Sequence, residues 1–121
     1  MAEAIPAPLE LVPDTRVLAF IGENRQTPTA LEFLEGAVIL RARLGDIEGN
    51  YIPYIWNSHD EPMLAGREVS GRPKLLCDHS EVREEGNFVY SEIVRRRQRL
   101  MSAGITVERS LEAKDFPLRG D

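Results

Sequence analysis

Residues able to do chemistry are concentrated in one stretch of this 121-residue chain. Gly66-Arg67-Glu68-Val69-Ser70-Gly71-Arg72-Pro73-Lys74 combines guanidinium groups, a carboxylate and one of only two lysines, the other being Lys114. Taken alone, a lysine is a solvated surface group. Arg67 and Glu68 could act on a substrate, but arginines so placed often fix local geometry, pairing with backbone groups or with each other. Glu35, beside Gly36, is the other acid of interest. It reads either as a carboxyl that moves a proton or as a surface acid at a turn, and both readings stay open. Cys77, Asp78, His79 and His59 have metal-ligating atoms, yet their spacing matches no metal signature. No cofactor is expected. Arg95-Arg96-Arg97 and Arg99 could touch a phosphate. Glu81, Glu84, Glu85 and Glu92 make a mixed-charge solvated face the better reading, and a basic-face binding module the weakest. Tyr51, Tyr54 and Trp56 could line a pocket, though on a strand they are more often core.

The elements that must position these groups are mostly strands. Pro6, Pro8 and Pro13 make residues 1–13 an extended lead-in. Thr15 to Ile21 reads as a buried strand, and Glu23 to Thr29 as a loop. Ala30 to Leu44 is ambiguous, with strand alternation in its second half. Gly45-Asp46 and Glu48-Gly49-Asn50 are turn chemistry, and Pro53 places the strand Tyr51 to Trp56 at an edge or beside a bulge. Asp60 to Gly66 allows a short helical turn, followed by a loop from Gly66 to Pro73. Leu75 to Arg83 and Phe88 to Val94 flank a hairpin turn at Glu84-Glu85-Gly86-Asn87. Strand and helix compete over Glu92 to Met101, and residues 113–121 form a polar tail. The count is about five to six strands, joined by connections too short for parallel pairing. A mainly β, antiparallel protein follows.

The ordered string of motifs resembles the acetoacetate decarboxylase family. Its parts are Pro8-Leu9-Glu10, Phe33-Leu34-Glu35, Gly49-Asn50-Tyr51, Asp60-Glu61-Pro62, Gly66-Arg67-Glu68 and Pro73-Lys74. The resemblance covers about residues 6 to 100. It implies that Lys74 is the Schiff-base lysine, that Glu35 is an acid beside it, and that Arg67 and Glu68 bind substrate or position the loop. Such a lysine must react as the neutral amine. With an ordinary pKa near 10.4, only about 1 in 2,500 is neutral at pH 7. Lowering the pKa to about 6–7 costs the ammonium form roughly 5 kcal/mol, supplied by burial or by a nearby cation. Acetoacetate decarboxylase is itself an established example of such activation. The second lysine of the family's pair is Leu75 here, and Val17 to Ile21 carries no carboxylate where the family places a second acid. The implied activity is decarboxylation of a small β-keto acid such as acetoacetate. Alternatives are an aldolase-dehydratase using the same lysine, or a truncated, non-catalytic remnant of the fold.

Composition sets the remaining bounds. Hydrophobic residues make up 42% and charged residues 29%, as in globular proteins, and the net charge of −5 argues against nucleic acid and anionic membranes as partners. Cys77 is the only cysteine, which suits a reducing compartment. With no secretory signal, a cytoplasmic location is expected. The resemblance covers only part of the family's barrel. The expected architecture is therefore one partial domain, residues 1–121, forming an antiparallel sheet or open half-barrel. At least one long strand edge should lack an in-chain partner, which predicts homo-oligomers. Lys74 and Glu35 should face the same concavity.

Overall fold

The computed structural model describes residues 4–13, 16–25 and 32–109. The tail expected at 113–121, and Lys114 within it, lie outside these residues. Eight strands and one helix are present among the described residues, in the order β1 (Glu10–Leu11), β2 (Val17–Asn24), β3 (Phe33–Leu44), β4 (Ile47–Asn57), α1 (Asp60–Ser70), β5 (Lys74–Leu76), β6 (His79–Glu85), β7 (Phe88–Arg95) and β8 (Gln98–Thr106).

The strands form two open sheets, and neither closes on itself. In the five-stranded sheet, β3 pairs on one edge with β4. Its other edge takes β2 along Phe33 to Leu40 and β1 at Ala42 and Arg43. The β3–β4 hairpin turns at Gly45-Asp46, with Gly45 in the left-handed region at φ 59°. The register shifts between Val38 and Leu40, so that Ile52 and Pro53 together oppose Ile39. The proline thus sits in a bulge, where its missing amide breaks no ladder bond.

The three-stranded sheet runs β6-β7-β8. Its second hairpin turns on Arg96 and Arg97, both left-handed at φ 52° and 62°. That pattern matches a type I′ turn, which glycine and asparagine usually supply. The competition over Glu92 to Met101 is therefore settled as two strands. β8 pairs only with β7, so its outer edge has no partner among the described residues.

The mainly β, open architecture agrees with expectation, but five local readings need correction. Glu48-Gly49-Asn50 is not a turn: it lies in β4, paired with Arg43, Ala42 and Arg41, so the strand starts at Ile47 directly after the Gly45-Asp46 turn. Eight strands replace five or six. Strand β2 continues through Asn24, two residues into the expected loop. The single strand expected from Leu75 to Arg83 is broken at Cys77-Asp78, and its first piece, β5, pairs with β4 in parallel. Helix α1 makes that possible, because a β-α-β connection is long enough to return the chain in the same direction. The helix itself runs to Ser70, so most of the expected 66–73 loop is helical.

Its length has identifiable causes. Asp60 and Glu61 complement the amide dipoles of the first turn, and Pro62 falls where no amide donor is required. Gly71, left-handed at φ 63°, closes the C-terminus with its N–H on the Arg67 carbonyl, and the Arg72 N–H reaches the Gly66 carbonyl.

Strand alternation divides the five-stranded sheet into two working faces. Gly36, Trp56 and Leu75 point toward the three-stranded sheet, where Trp56, Cys77 and Ile93 form the buried core with Ile21, Leu75 and Met101. Gly36 gives the end of Ile93 its room there, because a Cβ would overlap Ile93 Cδ1 and push it aside. Glu35, Asn57 and Lys74 point to the opposite face, which α1 covers beside β4 and β5.

Candidate active site

Three neighbouring strands each deliver one polar side chain to the face beneath α1. Glu35 on β3 lies opposite Asn57 on β4, and Lys74 opens β5 opposite Ile55. Lys74 Nζ donates to Glu35 Oε2 at 2.5 Å, and the two side chains are only 7% and 11% exposed. Asn57 Nδ2 donates to the same oxygen at 3.0 Å. The Phe33 ring lies 5.5 Å from Nζ, within range of a cation–π contact. Phe33 also lines an open cleft of about 410 Å³ with Glu23, Glu32, Leu34, Ser58, His59 and Ser80.

The helix shapes the site through Gly66. A Cβ at that position would come within 2.5 Å of Lys74 Cε and 3.2 Å of Nζ. Glycine is thus needed for the room it leaves the lysine stem. Arg67 Nη1 donates to the Lys74 carbonyl at 3.3 Å and so holds the backbone at the start of β5. It does not approach the amine through that bond. Arg67 and Glu68 do not pair with each other. Glu68 is exposed on α1 and lines a groove with Arg67, Arg72 and Tyr54, making no hydrogen bond or ion pair among the described residues. Both residues belong to a helix rather than to the expected loop, because the chain stays helical to Ser70.

The structure thus brings Lys74 and Glu35 into direct contact, with Arg67 on the lysine's backbone and Glu68 outside. Glu35 is buried in mid-strand, not at a surface turn. Leu75 points through the sheet into the core beside Trp56 and Cys77. Sequence reading missed Asn57, and gave Phe33 only as part of the Phe33-Leu34-Glu35 motif, without a role at the site. Asn57 ends the run Tyr51 to Trp56, where a polar residue reads simply as the end of a strand.

The other chemistry-bearing groups have separate engagements. The Cys77 thiol donates to the Asn57 carbonyl at 3.2 Å, and the Cys77 N–H donates to the same oxygen at 2.9 Å. Burial pushes this thiol above its ordinary pKa, against the opposing effects of Ser80 and a backbone hydrogen bond. Asp78 accepts the Arg97 N–H at 3.4 Å, while His59 Nδ1 lies 2.7 Å from Ser58 Oγ. On the second sheet, Glu92 accepts from Tyr90 Oη at 2.7 Å and pairs with Arg99 at 3.0 Å, with His79 3.7 Å away. Arg83 lies between Glu81 and Glu85 at 3.6 and 3.7 Å, a mixed-charge face open to solvent.

Comparison with known proteins places this arrangement in context. An acetoacetate decarboxylase from Legionella pneumophila superposes with a TM-score of 0.78 at 18% identity, over 93% of this chain and 44% of that one. An acetoacetate decarboxylase-like enzyme from Sphingomonas wittichii gives 0.69 at 21% identity, over 98% and 53%. The enduracididine biosynthesis enzyme MppR, solved with the condensation product of pyruvate and imidazole 4-carboxaldehyde, gives 0.63 at 21% identity, over 89% and 49%. The chain thus spans about half the length of these solved structures. No curated protein matches it. The acetoacetate decarboxylase (ADC) family model matches residues 1–118, nearly the whole sequence, and the chain belongs to that family.

Proposed function

We propose that the chain is a Schiff-base lyase that decarboxylates a small β-keto acid such as acetoacetate, with Lys74 forming the imine and Glu35 exchanging its proton. The observation that carries this reading is the buried ion pair between them on the face beneath α1. Imine formation starts from the state in which Glu35 holds the shared proton and Lys74 is a neutral amine. Nζ attacks the ketone carbon, and the carbonyl oxygen takes up a proton to give a carbinolamine. Loss of water leaves the iminium. The C–C bond to the carboxylate then breaks, carbon dioxide departs, and the electron pair moves into the iminium to give an enamine. Protonation at carbon and addition of water release the ketone and restore the amine. Burial serves each step, since a desolvated site strengthens the electrostatic interactions within it.

A second reading is an aldolase-dehydratase on the same lysine. It draws support from the fold shared with MppR, whose structure holds a pyruvate condensation product. Product analysis separates the two: carbon dioxide from acetoacetate on one side, a condensation product from pyruvate and an aldehyde on the other. The same proposal makes the protein cytoplasmic and homo-oligomeric. The edge of β8 without a partner among the described residues supports self-association, and a monodisperse monomer at high concentration in light scattering would count against it.

The deciding experiment is borohydride reduction in the presence of acetoacetate, followed by peptide mapping. A stable adduct on Lys74 is expected, absent in Lys74→Ala. Lys74→Arg should also be inactive, since a guanidinium keeps the charge but cannot serve as the nucleophile. No adduct, or equal labelling of Lys114, rejects the reading in favour of a non-catalytic member of the fold.

A further inference from the structure

The site contains one side chain that the chemistry above leaves without a task. Asn57 is 0% exposed. Its backbone is held from both sides, opposite Glu35 on β3 and Leu76 on β5, and its carbonyl receives both the N–H and the thiol of Cys77. Its Nδ2 donates to Glu35 Oε2, the oxygen that also receives Lys74 Nζ. Its Oδ1 receives nothing, and is the one enclosed side-chain polar atom without a partner among the described residues. Turning the amide end for end does not cure this. It would set Oδ1 against the carboxylate oxygen.

An unsatisfied buried acceptor destabilises a fold, and a leucine would fill the same space without that penalty. The position of Asn57 is therefore better explained by the site than by packing. Nδ2 and Nζ converge on one oxygen, so the amide lies beside the amine that forms the imine. The intermediate made there has a hydroxyl group, a donor of the kind Oδ1 lacks.

We propose that Asn57 is a positioning residue of the Lys74 site. Its Nδ2 holds the Glu35 carboxyl with Oε2 on the amine, and its Oδ1 accepts the carbinolamine hydroxyl before that hydroxyl leaves as water. The inference rests on the Lys74–Glu35 reading and extends it to a third side chain. Nζ–C bond formation sends the carbonyl electron pair to oxygen. That oxygen takes a proton, and a second protonation lets it depart as water while the nitrogen lone pair forms C=N.

The test compares wild type with Asn57→Leu and Asn57→Asp, using acetoacetate and borohydride to trap the imine, alongside thermal unfolding. Asn57→Leu should keep or raise the melting temperature while trapping slows about tenfold to a hundredfold, the loss of a hydrogen bond to a charged group. Asn57→Asp should alter the pH profile of trapping, because a second carboxylate then contacts Glu35 and Lys74. A melting temperature that falls in step with the rate in Asn57→Leu would show a purely structural residue and overturn the proposal. If that variant does not fold, the profile of Asn57→Asp decides: unchanged, it overturns the proposal. An adduct in wild type with both variants like wild type rejects Asn57 alone. No adduct in wild type rejects the Lys74 reading and the role of Asn57 with it.

Discussion

Each sheet carries a glutamate between cationic and hydrogen-bonding partners, in opposite surroundings. Glu35 meets Lys74 where both side chains are almost wholly buried. Glu92 is itself only 16% exposed, but its partners Arg99 and His79 are 63% and 53% exposed, so the contrast lies in the cations. An exposed pair gains little, is screened by salt, and is easily replaced. A buried pair must overcome the desolvation of both charges, and an apolar pair of similar volume often does as well or better. The Glu92 network therefore needs no explanation beyond a solvated sheet surface. The Glu35–Lys74 pair does need one, because stability alone does not favour it.

The largest effect should come from breaking the buried pair on one side only. Lys74→Met leaves the Glu35 carboxyl buried without its cation, and the expected loss is about 3–5 kcal/mol. Lys74→Met/Glu35→Leu should recover most of that loss while remaining inactive in imine trapping. Urea denaturation of the two single variants and the double variant checks this. A double variant whose loss equals the sum of the singles would mean that the two side chains are not coupled across the pair, and the contrast between the sheets would disappear.

Much of this contrast is visible in the sequence, but unevenly. Val38 to Leu44 alternate as a strand does, although Ala30 to Leu44 as a whole is ambiguous, and Gly66-Arg67-Glu68 with Pro73-Lys74 drew attention to the stretch that ends on Lys74. That Glu35 meets Lys74 follows only once β4, α1 and β5 return the chain in parallel, and nothing in the local pattern demanded that return. Pro62, Gly66, Val69 and Gly71 all lower the helix signal over 60–71. The helix is held instead by its glycine cap and by its packing on β4 and β5. Arg96 and Arg97 conceal a hairpin because arginine has no preference for positive φ. Asn57 was silent because burial and a vacant acceptor are properties of the assembled sheets, not of a residue type.

A smaller effect of unusual sign is expected at Gly66, where helix propensity and space oppose each other. Alanine in a helix gains up to about 1 kcal/mol over glycine. Its Cβ would strike the stem of Lys74, which the bond to Glu35 prevents from moving aside. Overpacking of this kind costs about 1–3 kcal/mol, so Gly66→Ala should destabilise the wild type slightly and slow imine trapping. In a Lys74→Ala background the obstacle is gone, and the same substitution should stabilise. Thermal melts of the four proteins show whether the sign reverses. Destabilisation in both backgrounds would mean that Gly66 serves the helix backbone and leaves no room specifically for the lysine.

The smallest effect belongs to the exposed network and concerns pH. The hydrogen bond from Tyr90 is the main influence holding the Glu92 carboxyl below its ordinary value of 4.5, helped by Arg99 against partial desolvation. The same bond is the main influence raising the Tyr90 phenol above its ordinary value of 10.0. The two shifts act at opposite ends of the pH range. Because the folded pKa of Glu92 is lowered, its contribution is complete above the ordinary carboxylate value and lost as pH falls through the folded value. Because the folded pKa of Tyr90 is raised, its contribution is complete below the ordinary phenol value and lost as pH rises through the folded value. Tyr90→Phe removes both at once. Its difference in stability from wild type should be constant near neutrality, and should shrink toward acid and toward alkali. High salt should change the part due to Arg99 and leave the Tyr90 hydrogen bond nearly intact. If the difference stays flat across both limbs, Tyr90 acts through packing alone. A wild-type–Tyr90→Phe gap as large as that from Lys74→Met would instead mean that the second sheet holds a charge as consequential as the first.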